Sequence, residues 1–446
     1  MHEQRRNALK RFGAGLAAGA VALAAPPAGA VRPGPVPARY RAGDFLWGVA
    51  GAAYQVEGNN VASDLWVMEH TRPSLFREPS GDAVDSYHRV FEDIALAAAL
   101  GFNTYRLSLE WARIEPEPGQ VSRAQLAYYR RVLEAIRAHG MLAMVTCVHF
   151  TTPRWFAAAG GFETAAGIAP YVEHCRRTVG ELGELIGIAT TFNEPNLGAL
   201  MAWSPAIRPL RPLIAGALQA AARAVGAERY APPMLGDWRV QQPIMIQAHE
   251  QACAAIAQAS GGRIPAGVTL ALNEERGEAE AIARKHAQAM LPWLQAGGDY
   301  VGVQNYTWSE VGGDSDLPPP AGIPLTQMGY PYAPESVAAV VRTVAAHWRK
   351  PIYVTENGVA TEDDRQRVAF IDRALDGLGG CLRDGIDLRG YVHWSLLDNW
   401  EWVHGFGPKF GLVAVDRTTF ARTPKPSAAH LGRIARAGGP ARTATG

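Results

Sequence analysis

The sequence has few cysteines, and none is spaced to hold a metal. Only Cys147, Cys175, Cys253 and Cys381 occur, far apart and with no C-x-x-C or Cys/His spacing, so a zinc site is not expected. They read as buried free thiols, with a bridge between two of them left open. An excess of one charge is also lacking. Lys plus Arg number 43 against 42 Asp plus Glu, a formal net charge of +1. That balance, without clustered basic residues, disfavours nucleic acid or a membrane surface as a partner. No internal repeat is present, and no low-complexity segment beyond an alanine bias. The turn after the first strand pattern reads Gly48-Val49-Ala50-Gly51 rather than G-x-G-x-x-G, which argues against a doubly wound sheet binding a dinucleotide. His249-Glu250 lacks the second histidine of H-E-x-x-H, so neither a metal nor a cofactor is expected.

What is present suits a large folded core. The chain has 446 residues, 48% hydrophobic and 19% charged, and an α/β barrel of this length can form one domain. The 12 tryptophans serve mainly for packing, yet indole also stacks on the apolar C–H faces of sugar rings. Residues 1–30 read as an export signal. Gln4-Arg5-Arg6-Asn7-Ala8-Leu9-Lys10 resembles the twin-arginine motif, with Ala8 in place of a bulky apolar residue. A weakly apolar stretch from Phe12 to Ala25 follows, too short to span a membrane. Ala28-Gly29-Ala30 then fits a small-x-small cleavage site. The expected location is periplasmic or extracellular. Residues 31–43, with Pro and Gly, read as a linker, 44–438 as one folded domain and 439–446 as a disordered tail.

From residue 44 onward short apolar runs alternate with helical patterns. Strands are expected at Phe45–Ala50, Thr104–Leu109, Leu142–Val148, Ile188–Phe192, Gly267–Leu272, Tyr300–Val303, Ile352–Thr355 and Tyr391–Trp394. Helices are expected at Asp85–Leu100, Ser122–His139, Tyr171–Leu185, Pro243–Ala259, Pro334–Arg349, Arg365–Leu378 and Pro426–Ala435. Eight strands alternating with helices predict a single-domain α/β protein, a (β/α)8 TIM barrel. Pro195–Gln242 and Ser309–Pro334 read as long inserted loops. Each follows a strand, so each belongs on the C-terminal face, where barrel active sites lie.

Two glutamates stand directly after strand patterns. Glu194 lies in Thr191-Phe192-Asn193-Glu194-Pro195 and Glu356 in Val354-Thr355-Glu356-Asn357-Gly358. By strand count these are the fourth and seventh, so both carboxylates project into one mouth. Two carboxyl groups across a shared cavity can hydrolyse an acetal, one giving a proton to the leaving oxygen and one acting as nucleophile or base. At this point the chain resembles glycoside hydrolase family 1, the β-glucosidase family, from about residue 44 to about residue 430. The resemblance rests on Phe45-Leu46-Trp47-Gly48-Val49-Ala50-Gly51-Ala52-Ala53-Tyr54-Gln55-Val56-Glu57-Gly58, on Ile352-Tyr353-Val354-Thr355-Glu356-Asn357-Gly358, and on Trp394-Ser395-Leu396-Leu397-Asp398-Asn399-Trp400-Glu401-Trp402. Lys409-Phe410-Gly411-Leu412 and Arg422-Thr423-Pro424-Lys425 complete it in the family's order.

The resemblance implies a retaining, exo-acting β-glycosidase with Glu356 as nucleophile and Glu194 as acid/base. It implies that Asn193 holds the sugar 2-hydroxyl, that Arg106 keeps Glu356 ionised, and that the Tyr306 hydroxyl donates to it. Gln55, His149, Glu401 and Trp402 would read the hydroxyls at positions 3, 4 and 6. Trp394 would floor the ring and Phe410 would line the 6-position. The expected partner is a small or oligosaccharide β-glycoside. Glucose, galactose and fucose all remain open as the terminal sugar, and an acceptor other than water would make the enzyme a transglycosidase. An inactive sugar-binding protein on the same fold would be expected to lack one of the two glutamates. Departures cluster on the leaving-group side. His149-Phe150-Thr151 replaces the family's His-Trp-Asp, Gln304 replaces an Asn, Tyr330 replaces a Trp, and Asn196 stands where a Trp often follows Asn-Glu-Pro. Val403-His404-Gly405-Phe406 lacks the Ser and Lys pattern of the 6-phospho branch.

Overall fold

The computed structural model describes residues 43–438. The segments read as an export signal (1–30) and a tail (439–446) lie outside the described residues, as does all of the linker (31–43) except Gly43. Eight parallel strands close into a barrel in sequence order, the eighth hydrogen-bonding to the first. They are Leu46–Ala50, Thr104–Ser108, Leu142–Val148, Ile188–Asn193, Ala266–Ala271, Tyr300–Gln304, Ile352–Asn357 and Leu388–Trp394. Each is buried along nearly its whole length, because the helices cover one side and the barrel interior the other.

The interior is layered. Leu46, Leu142, Met144, Ile188, Tyr300 and Tyr353 pack together as one apolar cluster, as the inward residues of a packed barrel do. A second apolar cluster holds Ala50, Ala52, Val392, Trp394 and Phe410. Room is tight between the fifth, sixth and seventh strands. A Cβ on Gly302 would stand 2.5 Å from Thr269 Cγ2 and from Thr355 Oγ1, so only glycine fits.

Outer helices follow local chemistry. Ser122 caps Arg123–Ala138 by accepting from the Gln125 amide, and Asp363 caps Asp364–Arg383 through the Arg365 amide. The helix expected to begin at Pro243 begins earlier, at Trp238. Asp237 supplies a side-chain acceptor for the Arg239 amide at 3.1 Å, which anchors an extra turn that proline at the first position does not require.

Both expected loops carry structure of their own. Residues 195–242 include helices Leu197–Trp203 and Arg211–Ala224. Residues 309–334 contribute to a small sheet in which Trp308–Gly312 lies between Glu274–Gly277 and Ser315–Leu317. None of the four cysteines is in a disulfide. Among the described residues no helix is long and apolar enough to cross a membrane.

Candidate active site

The C-terminal ends of the strands bring the two glutamates together. Pairing of the seventh strand with the sixth shifts register between Val354 and Glu356. Pairing of the fourth with the fifth shifts between Thr190 and Asn193. Such irregularities re-aim side chains beside active sites. Glu194 has φ +46, a strained conformation for a non-glycine residue. Its amide donates to the Thr269 carbonyl at 2.8 Å, which pins the turn that leaves the strand.

Glu356 is buried and held by three donors. Arg106 Nη1 reaches Oε1 at 2.6 Å and Gln304 Nε2 reaches the same oxygen at 2.9 Å. The Tyr306 hydroxyl donates to Oε2 at 2.5 Å. Asn193 stands beside them, its Oδ1 accepting from Arg106 Nη2 at 2.6 Å, Gln304 Nε2 at 2.8 Å and Thr269 Oγ1 at 3.2 Å. Asn193 Nδ2 is left buried with no partner. The Glu194 carboxyl, by contrast, makes no hydrogen bond to a described side chain or amide.

The two carboxyls therefore titrate differently. Burial, then the Glu356 charge, pushes Glu194 well above the ordinary carboxylate range, with Arg106 opposing. Burial raises Glu356 as well, but the Arg106 charge and the hydrogen bonds from Tyr306 and Arg106 hold it down. Burial outweighs those donors, so the pair separates by its order rather than by an unusually acidic Glu356. Burial and then the Glu356 charge raise the Tyr306 hydroxyl far above its usual value, so it is a donor at any working pH.

The other expected site residues gather around this pair. Trp394 Nε1 donates to Glu401 Oε1 at 3.1 Å. Gln55 Nε2 donates to Asn399 Oδ1 at 2.9 Å, to the Trp400 carbonyl at 2.8 Å and to Glu401 Oε2 at 3.3 Å. Gln55 Oε1 is buried and unpartnered. His149 stacks between Trp394 and Trp402 at centroid distances of 5.8 and 6.2 Å. Burial and the Arg106 charge keep it neutral. Phe410 meets the Tyr306 ring edge-on at 5.6 Å. Burial first, with the Glu356 charge adding to it, pushes Glu401 up to about 8 against the Trp394 hydrogen bond. Tyr330 stands at the rim, 38% exposed. Its hydroxyl is pushed up to about 12 by desolvation and the charges of Glu194 and Glu401.

Some residues have other duties. Asn196 is buried and braces the fifth strand, its Nδ2 donating to the Ala271 carbonyl at 2.7 Å and its Oδ1 accepting the Ala271 amide at 3.1 Å. It does not belong to the leaving-group side. His249 accepts or donates within the core, 2.7 Å from Thr191 Oγ1 and 3.1 Å from the Gly297 carbonyl. Thr151 Oγ1 donates to Glu110 Oε2 at 3.0 Å, so the carboxyl facing this turn comes from the second strand's end. Gln304 is the residue that sequence reasoning underused. It lies two positions before Tyr306 and was legible only as a departure. Pairing across from Glu356 in the barrel register makes it a direct neighbour.

Comparison with known proteins agrees with this geometry. The sequence model described as glycosyl hydrolase family 1 matches residues 38–215 and 304–440. Beta-glucosidase A of Thermotoga maritima is 29% identical over 425 residues, covering 86% of this chain and 95% of its own. A bifunctional beta-D-glucosidase/beta-D-fucosidase of Bifidobacterium breve is 27% identical over 465 residues, covering 86% and 95%. Among solved structures, the apo form of a beta-glucosidase named 1317 is 63% identical with a TM-score of 0.88, covering 89% of this chain and 99% of that one. The beta-glycosidase BGL167 is 45% identical with a TM-score of 0.84, covering 90% and 98%.

Proposed function

Because the chain belongs to glycosyl hydrolase family 1, and is thereby a retaining β-glycosidase, we propose that Glu356 is its nucleophile and Glu194 its acid/base. The observation that carries this reading is the asymmetry of the pair. Glu356 is held by Arg106, Gln304 and Tyr306, while the Glu194 carboxyl has no hydrogen-bond partner among the described residues and is raised by burial and by the Glu356 charge. In the first step the Glu356 carboxylate bonds to C1 of the terminal sugar. The C1–O bond breaks and Glu194 gives its proton to the departing oxygen. Esterified Glu356 no longer carries a charge, so one of the causes that raise Glu194 disappears. Glu194 then takes a proton from water, which attacks C1 and releases Glu356. Two inversions leave the β-anomer.

Asn193 Nδ2 is free to hold the 2-hydroxyl, a contact that strengthens in the transition state. Gln55, His149, Glu401 and Trp402 would read the remaining hydroxyls over the Trp394 floor, with Phe410 near the 6-position. Tyr330, at the rim beside Glu194, would meet the leaving group. Glucose is the proposed sugar, with fucose and galactose as secondary substrates. The reading is supported by the curated relatives, which are named as glucosidases and, in one case, as a fucosidase as well. A panel of 4-nitrophenyl β-glycosides, run with and without an alcohol acceptor, tests it. Release of nitrophenol from the glucoside is expected, and no release from any β-glycoside would refute it. Export is a separate proposal. The Arg5-Arg6 pair supports a periplasmic or extracellular location, and unchanged export of a variant with Arg5→Lys and Arg6→Lys would refute it.

A further inference from the structure

Two of the three donors on Glu356 converge on one oxygen, and one of them is neutral. Arg106 Nη1 and Gln304 Nε2 both reach Oε1, at 2.6 and 2.9 Å. The same Gln304 nitrogen lies 2.8 Å from Asn193 Oδ1. A primary amide carries two N–H bonds, so one nitrogen serves two acceptors with one hydrogen each. The amide cannot be turned over. A flip would set Gln304 Oε1 against two oxygens that both accept. Asn193 is fixed for the same reason, since its Oδ1 already takes hydrogen bonds from Arg106, Gln304 and Thr269. The network is sealed: Gln304 is 1% exposed and Asn193 3%. Backbone pairing places Gln304 opposite Glu356 where the register shifts.

Taking Glu356 as nucleophile and Asn193 as the 2-hydroxyl contact, we propose that Gln304 is a positioning residue that couples the two. Arg106 spans the same two oxygens through Nη1 and Nη2 and supplies the charge. Gln304 adds none and supplies direction. It fixes the spacing between the attacking carboxylate and the residue that grips the sugar next to C1. Grip on the 2-hydroxyl then aligns C1 with Glu356, and loss of the bridge loosens both at once.

The test compares Gln304→Leu and Gln304→Glu with the wild type on 4-nitrophenyl β-glucoside and its 2-deoxy counterpart across pH. Gln304→Glu keeps the shape of the side chain and carries the test if Gln304→Leu fails to fold. Losing one hydrogen bond to a charged group should lower kcat/KM on the glucoside about ten- to hundred-fold. The preference for glucoside over 2-deoxyglucoside should fall about five-fold, the scale of coupling within one network. The acid limb of kcat/KM should move to higher pH in both variants, because Gln304→Leu removes a donor to ionised Glu356 and Gln304→Glu sets a second carboxyl against it, so that the two share a proton. A folded variant that slows both substrates equally with the acid limb unmoved overturns the proposal. A wild type inactive on every β-glycoside would overturn the reading of Glu356 itself, and Gln304 with it.

Discussion

Sugar binding should release a proton from Glu401. Burial pushes this carboxyl up to about 8, so at pH 6.5 the protonated form outweighs the ionised one by about thirty to one. Its two oxygens already face Trp394 Nε1 and Gln55 Nε2. If sugar hydroxyls also donate to it, the ionised form gains donors and the bound-state pKa falls. Surrendering the proton at pH 6.5 costs about 2 kcal/mol, and affinity should rise about tenfold per pH unit until the free pKa is passed. The assay is calorimetry with glucose, a neutral ligand, in two buffers of different ionisation heat. Near one proton per site should be released at pH 6.5, and Glu401→Gln should abolish most of that release. Proton-neutral binding in the wild type at this pH would refute the reasoning.

Glu110→Gln should stabilise the fold at alkaline pH. Burial first, then the Glu57 charge, pushes Glu110 up to about 8 against the Thr151 hydrogen bond, compared with about 4.3 in an unfolded chain. A carboxyl raised on folding holds its proton more tightly in the native state. Its contribution is therefore full below about pH 4 and is lost as pH rises through about 8, a change on the order of several kcal/mol. Melting temperatures of wild type and variant should diverge as pH rises from about 4 to about 8 and run parallel above that, and curves parallel across the whole range would contradict this. Tyr330→Ala should reorder aglycones in the nitrophenyl and alkyl series while the ranking of glucoside, galactoside and fucoside stays fixed. A reversed glucoside–galactoside preference would place Tyr330 in the sugar pocket instead.

The barrel was legible because its strands are short apolar runs bounded by Gly, Pro and Asn. Ile188–Phe192 and Ile352–Thr355 differ from the observed strands only at their last residues. The small sheet built on Trp308–Gly312 was not legible. It pairs with Glu274–Gly277, more than thirty residues away, and Glu-Glu-Arg-Gly shows no apolar alternation. The helices inside 195–242 were not read from the sequence; Arg211–Ala224 opens with Pro212 in its first turn, a position where proline costs a helix nothing. At the site, Arg106, Asn193 and Tyr306 could be carried over motif by motif. The Gln304 bridge could not. It depends on one extra methylene relative to the usual Asn and on a register shift that only the closed barrel reveals.

Azide rescue of the two glutamate variants tests the central claim most directly. Glu356→Ala should fail on every substrate. Added azide should then attack from the vacated face in one inversion and give the α-glycosyl azide. Glu194→Ala should still accept dinitrophenyl glycosides, whose leaving group needs little protonation, and form the ester on Glu356. Without its base that ester should persist until azide displaces it, giving the β-glycosyl azide. Retaining enzymes hold such carboxyls about 5–5.5 Å apart, close enough for direct attack on C1. Proton NMR of the products reads the anomeric configuration. The account predicts α from Glu356→Ala and β from Glu194→Ala, and the same anomer from both variants, or the reverse assignment, would contradict it.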